Sequence, residues 1–154
     1  MISRNSFKVT IVTLCSLTFG IGVPEVFANP VDSYIGVGAR APLVDDPAVI
    51  INAKLKIADL GGVGLSGRPA IFLGKYTESR FALTGEKEVS PGWTPFFGIG
   101  VATNADGSGE VNPMLSGGLD VQIGERFVLN VGGNFIFQSD DRERELTATV
   151  NYLF

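Results

Sequence analysis

The sequence of 154 residues contains no histidine, a single cysteine and a single tryptophan. Without histidine there can be no Ser/His/Asp triad and no histidine-based metal centre. The lone Cys15 falls in the apolar N-terminal segment described below. Once that segment is removed, neither a disulfide framework nor a thiolate metal site is possible. Beyond residue 28 the chain also lacks any long segment with apolar residues at helical spacing. What it has in quantity is glycine (20), phenylalanine (11) and a mean hydropathy of +0.27. Such a chain is too apolar for disorder and too broken by glycine for a helical bundle.

Residues 1–28 read as a cleaved signal peptide. Arg4 and Lys8 form a basic start, VTIVTLCSLTFGIGV (9–23) an apolar run, and Val26, Phe27 and Ala28 a small-residue cleavage site before Asn29. The run is shorter than the roughly 20 residues of a membrane helix and ends at Pro24 and Glu25. Leu14 before Cys15 does not match a bacterial lipid-attachment signal, which has Gly or Ala at that place. Removing Arg4, Lys8 and Glu25 leaves 10 basic against 15 acidic residues, a net charge of −5, which speaks against a nucleic-acid partner.

The segment 29–154 is one domain in length and shows repeated two-residue alternation interrupted by Gly, Asp, Asn and Pro. Eight strands are predicted near 33–41, 48–58, 62–74, 78–88, 93–103, 111–123, 126–138 and 144–154. Most reach the roughly 9–11 residues of a tilted transmembrane strand, against about 5–6 in soluble proteins. One face of each is apolar, as in Val49, Ile51, Ala53, Leu55 and Ile57, or in Phe127, Leu129, Val131, Gly133, Phe135 and Phe137. In these registers that face is expected to hold no charge. The opposite face collects Arg40, Lys54, Lys56, Arg68, Glu78, Arg80, Glu86 and Asp120.

A soluble β-sandwich or a lipocalin-like secreted binder would also alternate, but its polar face would be a solvated surface rich in Lys, Glu and Thr. Here that face carries Gly36, Gly38, Ala70, Ala82, Gly98, Gly100, Ala102, Gly118 and Gly132, small residues suited to a narrow barrel interior. Phe72, Phe96, Val128 and Ile136 fall on it too and run against a purely polar lumen. The fold class expected is all-β: a closed antiparallel up-and-down transmembrane barrel of about eight strands. With the N-terminus in the periplasm, 59–62, 87–92 and 124–125 would be periplasmic turns. The external connections would then be 42–47, 74–78, 104–110 and 139–143.

The last predicted strand ends on TATVNYLF, with Leu146, Ala148, Val150, Tyr152 and Phe154 at alternate positions. In this, and in its pattern over residues 31–154, the chain resembles the small eight-stranded outer-membrane β-barrel family that includes the membrane domain of outer membrane protein A. The resemblance implies that Leu146, Val150, Tyr152 and Phe154 act as an assembly signal for the barrel-assembly machinery. A closed sheet further requires the last strand to pair with the first, near SYIGVGARA. Tyr152, Phe154, Trp93 and Phe127 would then share one rim. Enzymes of barrel architecture are described with a catalytic histidine, so their activities do not carry over.

The remaining chemistry is sparse. The lumen charges are expected to be a mutually neutralising network, the alternative being a conduction path for small solutes. NADGSGE (104–110) has the alternate oxygens of a calcium loop, but Leu115 stands where the bidentate acid belongs, so a turn is expected. Asp45, Asp46, Asp140 and Asp141 read as solvated loop tips. The expectation is a non-enzymatic, monomeric protein of the cell outer membrane. It would have membrane lipids and, during biogenesis, the assembly machinery as partners, with no metal, cofactor or nucleic acid.

Overall fold

The computed structural model describes residues 33–41, 46–104, 109–139 and 142–154. The signal segment, Cys15, Asp45, Asp140, Asp141 and most of NADGSGE lie outside these residues. Eight strands form the described chain: β1 Tyr34–Ala41, β2 Ala48–Asp59, β3 Gly64–Leu73, β4 Thr77–Glu86, β5 Trp93–Asn104, β6 Val111–Ile123, β7 Phe127–Phe137 and β8 Arg142–Leu153. Each pairs antiparallel with its chain neighbour, and β1 pairs with β8 to close the barrel. All eight lie within a few residues of the bounds expected from alternation.

The closing seam runs from Tyr34 opposite Leu153 to Ala41 opposite Leu146. It is close because β1 carries glycine at inward positions: a Cβ on Gly38 would run into the backbone carbonyl of Ala148. The same holds in β5, where a Cβ on Gly98 would meet the carbonyl of Leu83. These glycines thus permit strand approach, a stricter demand than the lumen volume inferred from the sequence.

Alternation translates directly into an inside-out molecule. Val37, Phe97 and Ile99 are 60–65% exposed on the outer face. Arg40, Lys54, Arg80, Asp120 and Glu145, by contrast, are all under 10% exposed in the interior. A closed sheet leaves no backbone donor or acceptor unpaired at an edge, as a hydrocarbon environment requires. A bulge between Lys56 and Ala58 marks the lower end of β2.

Two expectations need correction. The outer face is not free of charge, because β8 begins at Arg142 and both Arg142 and Arg144 are exposed in the same alternation as Leu146. Asp59 likewise ends β2 on the exposed side. These charges sit at strand ends, where a depth-dependent lipid cost is smallest. The connection between β3 and β4 is also only residues 74–76, closed by a bond from the Gly74 amide to the Tyr76 carbonyl. It is as short as the turns at the other rim.

KEVSPG (87–92), the longest of the three turns expected at the periplasmic rim, is folded on itself. The Gly92 amide donates to Glu88 Oε1 at 2.8 Å and the Trp93 amide to the Ser90 carbonyl at 2.8 Å. Gly92 adopts φ +76°, a left-handed conformation suited to glycine, and its carbonyl accepts from the Gln122 amide of β6.

Candidate functional site

The interior is organised as two layers of charge. The lower layer, nearer the rim with Tyr34 and Leu153, is centred on Arg68 from β3. Its Nη2 donates to Glu86 Oε2 at 2.7 Å and to Asp120 Oδ2 at 2.8 Å. Its Nη1 donates to the Tyr34 hydroxyl at 2.7 Å and its Nε to Thr84 Oγ1 at 3.0 Å. Tyr34 in turn donates to Asp120 Oδ1 at 3.0 Å, and Asn130 Nδ2 donates to the same oxygen at 2.7 Å. Lys54 Nζ lies 3.1 Å from Glu86 and 3.6 Å from Asp120. Two cations therefore face two carboxylates, drawn from four strands, with the Tyr34 hydroxyl of β1 and the Asn130 amide of β7 beside them.

The upper layer joins Arg40 from β1 and Arg80 from β4 to Glu78, Glu143 and Glu145. Arg40 Nη1 reaches Glu78 at 2.9 Å and Glu145 at 3.2 Å, while Arg80 Nε reaches Glu145 at 2.9 Å. Arg40 also donates through Nε and Nη2 to the Asp46 carbonyl, tying the first connection to the lumen. Carboxylate oxygens of Glu78, Glu143 and Glu145 lie within 4.8 Å of one another. The two guanidinium groups already supply positive charge among these oxygens. The layer has one more carboxylate than cations.

The apolar residues that seemed misplaced on the lumen face link the layers. Phe72 lies under both Arg40 and Arg80, at 5.5 and 5.0 Å from its ring centre. Phe96 stacks on Arg68 at 3.7 Å. Such cation–π contacts strengthen when water is excluded. Val128 and Ile136 are buried with them, Ile136 beside Met114, Ala82 and Ala102.

Between the layers is a cavity of about 60 Å3 bounded by Arg68 and Phe96 on one side and Arg80 and Phe72 on the other. Asn52, Asn130, Thr147 and Thr149 add polar walls. It is large enough for a few waters and far smaller than a solute path.

Seven of the eight lumen charges expected from the sequence thus meet in two clusters: Lys54, Arg68, Glu86 and Asp120 below, and Arg40, Glu78 and Arg80 above. Lys56 is two residues beyond Lys54 on β2. It is half-buried, its residue pairs with Ser66, and its amide donates to Ser33 Oγ. Sequence reasoning missed Tyr34, Asn130, Glu143 and Glu145. Tyr34 alternates with Gly36, Gly38 and Arg40, and Glu145 with Thr147 and Thr149, so extending the lumen-facing positions by one step would have found both.

Of the proposed assembly residues, Leu146, Val150, Tyr152 and Phe154 all lie on the outer face at 40–51% exposure. Tyr152 meets Phe127 edge-on at 5.8 Å, and its hydroxyl accepts from Arg126. With Trp93 they form the expected aromatic rim.

No family model matches the chain, and no curated protein matches it. Among solved structures it is similar to the outer membrane protein Ail of Yersinia pestis, determined in a phospholipid bilayer nanodisc. Identity is 11%, the TM-score 0.57, and coverage is 79% of this chain and 98% of that one. It is also similar to a de novo designed transmembrane β-barrel, at 13% identity and a TM-score of 0.63 over 83% of this chain and 99% of that one. At these identities the likeness is one of fold: the chain has the fold of the small eight-stranded transmembrane barrels.

Proposed function

We propose that this chain is a non-enzymatic integral barrel of the bacterial outer membrane, exported through its N-terminal signal, whose role is structural in the envelope. The observation that carries this reading is the distribution of polarity. The outward face is an apolar belt with aromatic residues at one rim, while the lumen is filled by two ion-paired layers. A lipocalin-like binder needs the reverse, an apolar ligand cavity inside a solvated shell.

The filled lumen also favours a structural role over a narrow channel. Conduction needs a path in which ions bind weakly enough to leave. The charges here pair with one another across strands, and the cavity between them is small and lined by arginine and phenylalanine from both layers. The outer face, with its tyrosine and phenylalanine rim, is the surface expected to meet membrane lipids and, during insertion, the assembly machinery.

Fractionation tests the location: the protein should stay with the outer membrane and need detergent for release. Recovery from the periplasm in detergent-free buffer would refute it. Planar-bilayer recording tests the role. The purified barrel is expected to be silent, and reproducible unitary currents altered by Lys54→Glu would replace the structural reading with the channel.

A further inference from the structure

The outer face is not uniformly ridged. Across β5, β6 and β7 it sinks into an open groove of about 480 Å3, a volume within the roughly 300–1,000 Å3 of small-ligand sites. Its floor is Gly117 and Gly133, which are direct register partners. Phe97 pairs with Gly117 on one side and Leu146 with Gly133 on the other. One row nearer the upper rim, Leu115, Phe135 and Arg144 follow in register. The outward Gly67 has two side chains against it, Ile57 and Phe81, whereas Gly117 has one, Phe97, and Gly133 meets only the Glu145 carbonyl.

The upper end of this groove carries positive charge. Arg144 lies over the Phe135 ring at 5.4 Å, and among the described residues no carboxylate pairs with it. Arg142 stands two residues further toward the rim on the same face. A guanidinium beside an apolar belt is costly unless it reaches the interface or meets an anion there, and its planar donors match a phosphate. Acyl-sized apolar space below and a phosphate-matching cation above are the two halves of one lipid.

We propose that the groove is a binding site for a single phosphate-bearing membrane lipid, with an acyl chain over Gly117 and Gly133 and the phosphate on Arg144. This rests on reading the outer face as lipid-facing.

The test is native mass spectrometry of the full barrel in detergent with added phosphatidylglycerol. One lipid is expected to be retained. Arg144→Gln should lower its occupancy at least fivefold, while Arg126→Gln at the opposite rim leaves it unchanged. Gly117→Leu, whose Cβ would meet the Phe97 ring at 3.3 Å, should lower it similarly by filling the floor. Should that variant fail to fold, Arg144→Gln alone decides, since its side chain is exposed.

Equal occupancy in wild type and Arg144→Gln would overturn the proposal. So would equal retention of diacylglycerol, which lacks the phosphate, or a lipid-free dimer joined through this face. A barrel that stays dispersed without detergent would instead refute the lipid-facing reading itself.

Discussion

Arg68 shows how much a single interior residue can organise in a narrow barrel. Its guanidinium touches two carboxylates, a tyrosine hydroxyl and a threonine hydroxyl, and stacks on an aromatic ring. Arg68→Ala would leave Glu86 and Asp120 with Lys54 as their sole cation in the layer. Breaking a buried ion pair from one side typically costs about 3–5 kcal/mol. A loss of that size is expected in urea unfolding from lipid vesicles. Adding Asp120→Asn alone to Arg68→Ala should recover part of it, because Lys54 then faces the single carboxylate of Glu86 at 3.1 Å and no uncompensated charge remains. Recovery would separate the electrostatic penalty from simple loss of packing around Phe96.

At the scale of the strand, β8 has three tasks along its length. Its start supplies Glu143 and Glu145 to the upper ion layer, its middle closes the seam with β1, and its end supplies the aromatic rim. Phe154 contributes little to the folded barrel by contact. It is half exposed, and its amide donates to the Ser33 carbonyl at 3.2 Å. If it acts as an assembly signal, Phe154→Ser should reduce the amount of barrel reaching the membrane in cells well beyond any change in vesicle stability. A parallel decrease in both measurements would reduce the residue to a structural one.

The same strand also shows where the sequence was readable and where it was not. Alternation from Leu146 to Tyr152 gave the correct faces, because a strand in a two-sided environment has only two registers. Applied one residue pair earlier, it would have put Arg144 outside and Glu145 inside. Both positions lie within the predicted bounds 144–154, so the expected absence of outward charge failed inside that strand, because the alternation was not carried to its first residues. The turn KEVSPG could not be read in this way. Its compactness depends on Glu88 folding back to the Gly92 amide and on β6 supplying the Gln122 amide, a contact between distant positions.

For the whole molecule, the two ion layers and the phenylalanines between them occupy the lumen, which is the ground for proposing a silent barrel. Arg68 and Arg80 bound the cavity from opposite sides. The double variant Arg68→Ala/Arg80→Ala, if it inserts, should therefore convert a silent barrel into one with unstable, small unitary currents. Persistent silence, with the barrel folded by circular dichroism, would locate the barrier elsewhere, in residues such as Phe72 and Met114. The two rims of the outer surface also differ, with Trp93, Phe127 and Tyr152 at one end and the groove of Phe135, Phe137 and Arg144 at the other. Neither is visible in one strand alone.

The sequence by itself determined the number of strands, their approximate bounds, their facing and the closure of β8 on β1. All of these follow from a period of two and from the need to pair every backbone group. It also placed in the lumen seven of the nine charged residues that make up the two ion layers. Only the tertiary structure decided which charge meets which, because partners such as Arg80 and Glu145 are brought together across the barrel by strand stagger. Only the structure showed that Phe72 and Phe96 belong among the arginines, and that Gly117 and Gly133 fall opposite one another to open the outer groove. Alternation specifies a face, whereas a site needs the register between strands.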